Sequence, residues 1–366
     1  MELRVTRSGF QLFISAFSFL FLTTACAQRT SSDTLFVNDY SSKPTLRVYG
    51  STKFNNMVIK SDPGSQNLFY RPNGKYIIGV GVSYKRLTLN IGLPMPFVNN
   101  DNDKRGRSRY IDAQGNILSP ERATNIFLQY YQGYHITSHP ASVVEWDQPT
   151  EFPYRADLFQ FNIGLSTLRI ANSGEFSYRA AFNQDAWQKK TSGSWLYGGY
   201  ATAYFVKGDS AVVPTRLTGD FADAAAISKG TFLDLGPMGG YARTFVYKQH
   251  WFVTLSAAVG VGVSIQDLKF PVQGTERHTT EFGPGWHAQW RGAMGYNSRR
   301  HCIVLFYNQE HVGYLLKEQD RFAWNVGNVR IMYAKRIGYK PKGVDKGLKW
   351  LQKRTPVPLP GTTGDE

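Results

Sequence analysis

The chain has 366 residues, 14% of them aromatic, and a formal net charge of +15. Its mean hydropathy of −0.34 excludes a protein with many membrane-spanning helices, because each such helix needs about 20 consecutive apolar residues. The length fits one large β-domain or two ordinary domains. The aromatic fraction is high for a soluble domain, whereas membrane barrels use aromatic residues at both interfaces.

Residues 1–27 have the features of a secretory signal. Arg4 and Arg7 form a basic start, and an apolar stretch follows from residue 10 to residue 22. Small residues then occupy the two positions that signal peptidase reads, which are Ala25 and Ala27. We expect cleavage after the second of these alanines.

Two alternatives to this cleavage remain. A lipoprotein signal would use Cys26, although Thr23 stands where such signals have leucine. An uncleaved anchor would need a longer apolar stretch than this one. After cleavage following Ala27, the chain would keep one cysteine, Cys302, so no intramolecular disulfide could form.

Taken in order, the chain predicts a polar periplasmic leader at 28–44, a β-barrel at 45–339 and a basic, proline-rich tail at 340–366. Several segments alternate apolar with small or polar residues, or are bounded by turn signals as strands are, and they predict an all-β fold. The expected architecture is an antiparallel transmembrane β-barrel of about twelve strands with long extracellular loops. These segments are 45–60, 75–85, 87–93, 124–136, 158–170, 175–185, 194–206, 239–247, 251–266, 286–296, 301–316 and 322–333.

The clearest strand is 251–266. Every second residue from Trp251 to Ile265 is apolar, and the other set is small or polar apart from Phe252. Since that second face carries no charge, the pattern favours a strand between lipid and a barrel interior; a long strand of a soluble β-protein is the alternative. The predicted faces are Val259 and Val261 outward, and Ser256, Gly260 and Gly262 inward.

The connections support a barrel with two different ends. Tight turns near residues 85, 248 and 298 fall on one side, and long connections near 100, 220 and 273 fall on the other. An even strand count places both chain ends on the periplasmic side. The short link at 171–174 and the long one at 140–151 fit this scheme less well. In the last predicted strand, the alternation of apolar and polar residues is interrupted near Gly327-Asn328, which predicts a bulge.

Two of the predicted strands carry basic or polar residues on their inner faces. The candidate lumen-lining residues are Arg179, His287, Gln289 and Arg291. One interpretation is a narrow, basic pore that favours anions. The other is a packed interior in which these residues pair with carboxylates such as Glu310 or Asp157, because unpaired buried charges are costly.

The turn at 188–194 is a second candidate site. Its Lys189, Lys190 and Ser192 could contact an anion, but the turn lacks the Gly-x-x-x-x-Gly-Lys-Ser/Thr spacing of a phosphate-binding loop. A turn that caps the floor of the barrel is the alternative interpretation.

The main enzymatic alternative is a lipase-like hydrolase, which needs a serine, a histidine and an orienting group within reach. Ser138 lies near His135 and His139, yet all three fall in a predicted connection. The seven histidines form no His-Glu-x-x-His pair, and Gly79-Val80-Gly81 lacks the third glycine of a nucleotide loop. We assign no catalytic, cofactor-binding or metal-binding residue.

Three segments carry a family resemblance: 68–73 (Leu-Phe-Tyr-Arg-Pro-Asn), 130–135 and 176–194, of which the last is the most specific. They resemble an uncharacterised Bacteroidota family of predicted outer-membrane barrels, the domain of unknown function 4421. The similarity runs from about residue 39 to about residue 339. It implies a barrel in a bacterial outer membrane and implies no activity.

The expected function is therefore that of an outer-membrane barrel of unknown molecular activity, either a narrow pore or a barrel that binds surface glycan or lipid. A barrel hydrolase and a secreted soluble β-barrel are the alternatives. Expected partners are outer-membrane lipid, the phosphates of lipopolysaccharide and the barrel-assembly machinery. No nucleic-acid motif is present in the sequence, and the sequence does not determine an oligomeric state.

Overall fold

The computed structural model describes residues 34–61, 67–84, 87–95, 97–98, 101–140, 143–144, 146–147, 150–221, 225–272, 275–316, 321–338 and 350. The expected signal with Ala25 and Ala27 lies outside these residues. So do the start of the leader and the tail from residue 340 onward, apart from residue 350.

The described residues form fifteen strands, two short helices and one 3₁₀ turn at Thr215–Asp220. The elements are β1 Val37–Asp39, β2 Thr45–Lys60, β3 Asn67–Arg71, β4 Tyr76–Tyr84, β5 Leu87–Pro94, α1 Asn102–Arg105, β6 Arg109–Leu118, β7 Arg122–Ile136, β8 Tyr154–Ile170, α2 Tyr178–Phe182, β9 Ala186–Gln188, β10 Ser192–Lys207, β11 Lys229–Tyr247, β12 Trp251–Val272, β13 Thr275–Asn297, β14 His301–Leu315 and β15 Arg321–Arg336.

The sheet closes into an antiparallel barrel. Neighbouring strands pair in the order β7, β8, β10, β11, β12, β13, β14 and β15, and β15 then pairs with β2 along the whole length of β2. Because the first and last long strands are neighbours, the ladder has no free edge on this side.

The other side of β2 has two different neighbours. Its first half, from Thr45 to Thr52, pairs with β4, and its last four residues pair with β3. β4 continues the sheet to β5, whereas β3 pairs directly with β7 through Tyr70 and Arg71. The wall therefore divides at residues 72–75.

The two ends of the barrel differ as the sequence predicts. β2, β5, β10, β12 and β14 begin at one end, which we call the turn end, and short connections such as 248–250 and 298–300 lie there. The described parts of the longer connections 95–108, 137–153 and 208–228 lie at the other, the loop end. The predicted placement of the tight turns near 85, 248 and 298 and of the long connections near 100 and 220 is thus confirmed. The long connection expected near 273 is wrong, because β12 and β13 pair as far as Val272 and Thr275.

The predicted faces of β12 are also confirmed. Val259 and Val261 expose 64% and 70% of their surface, whereas Ser256 exposes 8%. Exposed apolar side chains recur around the outer surface, and aromatic side chains gather near its turn end: Trp195, Tyr241, Tyr247, Trp251 and Tyr333. No helix in the described part of the chain is long and apolar enough to span a membrane.

Two predictions about strands are wrong and offset each other. Residues 175–185 form no strand: Ser177 caps α2 by accepting a hydrogen bond from the Ala180 amide, and the segment folds into the lumen. Residues 109–118, expected as part of a loop, form β6. The barrel thus keeps twelve long strands when β3 and β4 are taken as one interrupted strand.

The predicted bulge at Gly327-Asn328 is also wrong. The pairing of β15 runs through these residues without a shift, and Phe54 covers the glycine on its outer side. A shift occurs instead in β7 between Gln132 and Tyr134. Gly133 there has φ +86°, a conformation that favours glycine.

Aromatic side chains fill the loop-end half of the lumen. Trp324 of β15 lies 5.3 Å from Phe127 of β7 and 5.9 Å from Tyr204 of β10, measured between ring centroids. Polar contacts cross at the same level, where Asn55 accepts hydrogen bonds from Gln160 and from the Trp324 indole. Rings from well-separated strands thus meet in the lumen.

Candidate functional site: a cavity in the barrel wall

The turn end of the lumen holds a folded segment, residues 171–191, which we call the plug. Its α2 places Tyr178 against Ser256 of β12, with a 3.1 Å hydrogen bond, and brings the ring of Phe182 edge to face with that of Phe306 of β14. The carbonyl of Gln184 accepts hydrogen bonds from the Arg336 guanidinium, at 2.6 and 3.0 Å. The plug is therefore fixed to several walls.

Arg179 lies in the plug rather than on a strand, which corrects its predicted position. It is buried, and its guanidinium forms ion pairs with Asp39 of β1 at 2.8 Å and with Asp185 at 3.0 Å. The plug strand β9 pairs with β1, so the leader also takes part in closing the turn end. Arg179 thus has a structural role in this closure.

Lys189 and Lys190 also contact the leader. The ammonium group of Lys189 donates a hydrogen bond to the Thr34 carbonyl, and that of Lys190 lies 5.0 Å from the ring centroid of Phe36. The hydroxyl of Ser192 is 3.4 Å from the Asn172 amide nitrogen. These contacts agree with a turn that caps the barrel floor, and the two lysines do not converge with Ser192 on a shared site.

Between the plug and the aromatic half lies a cavity of about 820 Å³. Its wall comes from β2, β4–β7 and β13–β15, with Phe182 to Gln184 of the plug as its floor. Glycines on β4 and β5 make room for it: a Cβ at Gly79 would lie 2.3 Å from Cζ of Tyr49. A side chain larger than hydrogen would therefore displace the Tyr49 ring that lines the cavity.

The cavity is basic. Its charged lining comprises Arg47, Lys53, Arg291 and Arg330 against Asp112 and Glu310. Lys53 pairs with Asp112 at 3.3 Å. Glu310 accepts a 2.9 Å hydrogen bond from Gln289 and lies 3.3 Å from His287, an ion-pair distance, although its Oε2 and His287 Nε2 are not oriented to hydrogen-bond.

Among the described residues, Arg47, Arg291 and Arg330 form no ion pair with a carboxylate, although Asp185, Glu310 and Asp112, respectively, act on them electrostatically from farther away. Arg47 donates to the Ser83 hydroxyl at 2.5 Å and to the Asn183 carbonyl. Arg291 has one long contact, 3.4 Å to Asn116, and lies 5.7 Å from the Tyr178 ring centroid. Arg330 stacks 4.5 Å over the ring of Tyr49. All three Nε atoms are buried without a hydrogen-bond partner.

Other polar groups of the cavity are also unpaired. Buried oxygens without a hydrogen-bond partner in the described structure belong to Ser51, Asn125, Asn308 and Asn328, and Oε2 of Glu310 has only its 3.3 Å ion-pair contact with His287. Buried polar atoms in native proteins are nearly always hydrogen-bonded to protein, water or ligand. The cavity therefore has the chemistry of a space that holds water or a polar ligand.

The sequence identified some of these residues. His287, Gln289 and Arg291 lie on the inner face of β13, all of them buried, and the first two contact Glu310. Arg47 and Arg330 were missed. Arg47, Tyr49 and Ser51 are alternate residues of β2 and therefore share its inward face, and this alternation could have identified Arg47 as an inward residue. The false bulge near Arg330 obscured its face.

The hydrolase candidates lie elsewhere, at the loop end. The Ser138 hydroxyl is 2.8 Å from His139 Nδ1 and accepts a 3.0 Å hydrogen bond from the Phe69 amide. His135 is buried and its ring lies 5.6 Å from that of Phe152. This arrangement fastens the connection to β3 and gives no positive support for catalysis. Among the described residues, no three His, Cys, Asp or Glu side chains gather as metal ligands would.

A closed antiparallel barrel with an apolar outer belt and a polar interior defines a membrane β-barrel. The chain belongs to the family described as domain of unknown function (DUF4421), whose model matches residues 31–340. A comparison with curated proteins finds no match.

Several solved outer-membrane proteins are similar to this chain at low identity and low TM-score. The outer membrane protease OmpT from Escherichia coli is 6% identical, with TM-score 0.34, covering 82% of this chain and 98% of its own. The P. putida toluene transporter TodX is 8% identical, with TM-score 0.25 and coverage of 81% and 91%. OprG from Pseudomonas aeruginosa is 8% identical, with TM-score 0.22 and coverage of 82% and 99%.

Proposed function

We propose that this chain is an outer-membrane barrel that binds an anionic molecule in its wall cavity and does not conduct along its axis. The observation that carries the proposal is that three arginines around one cavity, Arg47, Arg291 and Arg330, form no ion pair with a carboxylate in the part of the chain that the structure describes. A buried charge is costly unless it is paired and hydrogen-bonded. An anion held by these guanidinium groups would supply the missing partner.

Two features support a closed axis. The rings of Trp324 and Tyr204 come from well-separated walls and lie 5.9 Å apart in the loop-end half. The plug occupies the turn-end half and is hydrogen-bonded to β12 and β15. A narrow pore, the other function expected from the sequence, would need both to move.

The outer-membrane location is supported by the exposed apolar belt, the aromatic side chains near the turn end and the expected signal at 1–27. The leader enters at the turn end, which we therefore assign to the periplasm. The Bacteroidota source implied by the family resemblance would provide such a membrane.

The test uses inorganic phosphate as a probe of the cavity. In neutral detergent, phosphate should raise the temperature at which the folded, fast-migrating form is lost on a gel, because a ligand that binds the folded state stabilises it. The double variant Arg291→Gln/Arg330→Gln should lose most of this protection. Arg330→Lys, which keeps the charge, should retain part of it.

Arg243→Gln is the matched control, since Arg243 is exposed on the outer surface of β11. Sodium chloride at equal ionic strength accounts for screening. Equal phosphate protection of the unmodified protein and the double variant would exclude an anion site in the cavity.

A further inference from the structure

The barrel wall has a seam between β5 and β6. Among the described residues, β5 pairs only with β4 and β6 only with β7. The two strands are neighbours in the wall, because β3 pairs with β7 above them and β4 pairs with β2 beside them. Each therefore presents an unpaired backbone edge to the same gap, in the turn-end half of the barrel.

The cavity reaches the outer surface through this seam. Its lining includes the inward residues Asn90 and Asn116, and also Leu89, Ile91 and Ile117, which belong to the outer face. Leu89 and Ile91 expose 61% and 59% of their surface. A single space thus leads from the arginines to an apolar rim.

An open strand edge is not stable against lipid tails, since hydrocarbon offers backbone groups no hydrogen-bond partner. Irregular backbone at membrane depth occurs where it lines a cavity. The seam has such a cavity behind it, basic inside and apolar at its rim. The matching ligand has an anionic head and an apolar tail.

Resting on the proposed function, we propose that this ligand is an anionic phospholipid of the turn-end leaflet, which enters sideways between β5 and β6. Arg291 and Arg330 hold its phosphate, and its acyl chains pass out between Ile91 and Ile117. The seam lies in the turn-end half, where phospholipid of the nearer leaflet reaches it without crossing the membrane. A phospholipid thereby neutralises the arginines, and its phosphate and ester oxygens, rather than its acyl chains, are the groups that can accept hydrogen bonds from N–H groups of the open edges.

The test is photolabelling in vesicles of phosphatidylethanolamine with phosphatidylglycerol. A phosphatidylglycerol probe carrying a diazirine on one acyl chain should label the β5–β6 rim several-fold more than the outer face of β12 around Val259. A phosphatidylcholine probe with the same diazirine should label both surfaces alike. The variant Arg291→Gln/Arg330→Gln should lose the enrichment, and Arg243→Gln should keep it.

Crosslinking β5 to β6 across the seam gives a second, independent test of the lipid inference. In a Cys302→Ser background, Leu89→Cys with Ile117→Cys, joined by a bifunctional thiol reagent, should remove the phosphatidylglycerol enrichment. The uncrosslinked pair of cysteines is the control, and gel mobility verifies folding of every variant.

Uniform labelling around the barrel, or enrichment that both probes share, would overturn the lipid inference. If phosphate protection persists in that case, the proposal of an anion site in the cavity is retained and only the lipid is excluded. If phosphate protection is also absent, the proposed function fails as well. Crosslinking of the seam to a protein strand in place of lipid would likewise overturn the inference.

Discussion

The guanidinium of Arg179 donates two hydrogen bonds to the carboxylate of Asp39, at 2.8 and 3.0 Å, and so joins the plug helix to the leader strand. This two-point geometry is the strongest form of arginine–carboxylate contact. Burial raises the pKa of the Asp39 carboxyl, but the hydrogen bonds and charge of Arg179 lower it more, so that this pKa is about 2.

The first prediction concerns pH. Because the folded-state pKa of Asp39 is below its unfolded value of about 3.9, the stability from this pair is complete above pH ~4 and is lost as pH falls through about 2. The urea midpoint of the unmodified protein should therefore fall more steeply over this range than that of Asp39→Asn. Asp103→Asn, at an exposed position, should keep the steep fall. Equal slopes for the unmodified protein and Asp39→Asn would count against the pairing.

The second prediction concerns the outer belt. Val259→Arg should lower the free energy of unfolding in lipid vesicles by about 2–4 kcal/mol, because an outward arginine near the midplane meets hydrocarbon. Tyr247→Arg, exposed at the turn end, should cost about 0–1 kcal/mol since it lies near the interface. Urea titration with gel mobility as readout measures both, and equal penalties would contradict a membrane-embedded β12.

The third prediction concerns the aromatic half of the lumen. Trp324→Ala should lower the free energy of unfolding by about 3–5 kcal/mol, as expected for removing a fully buried indole. Trp195→Ala, on the outer surface, should cost less.

Planar bilayers should show no current steps with the unmodified protein. A cation-selective current would contradict both the closed axis and the basic lining.

The fourth prediction concerns two glycines. Gly79→Ala should destabilise the barrel by about 1–3 kcal/mol, because the added Cβ would lie 2.3 Å from Tyr49 Cζ and 2.6 Å from the Ile91 carbonyl oxygen. Gly50→Ala, whose Cβ would have its nearest neighbour at 3.8 Å, should be nearly neutral. Thermal unfolding compares the two, and similar losses would show that the Tyr49 contact does not limit residue size.

The two-residue periodicity of apolar side chains was enough to predict the strands whose outer faces are apolar, and β12 is the clearest of them. The reason is that a strand face in contact with lipid is apolar at every second residue. Periodicity failed for β6, where Ala113 and Gly115 weaken the outer face and the inward residues are polar. It failed in the opposite direction for 175–185. There Tyr178 and Phe182 alternate as in a strand, yet they stand four apart on one helical turn, with ring centroids 4.5 Å apart.

The site was predictable only in part for a related reason. Register alone places Arg291 inside, but whether an inward arginine is paired depends on strands far apart in sequence. Asp39, which pairs with Arg179, is 140 residues away from it. The seam likewise depends on β3 leaving the ladder to join β7, a branching that hydrophobic pattern does not encode.

That branching gives the barrel a taper. Among the described strands, ten surround the lumen at the level of β3, where β3 joins β7, and twelve at the level of β4, β5 and β6. With neighbouring strands about 4.8 Å apart, two extra strands add roughly 10 Å to the perimeter. The protein therefore has the shape of a truncated cone and displaces more area from the turn-end leaflet than from the opposite one. Its insertion should bend the surrounding membrane toward the narrower end.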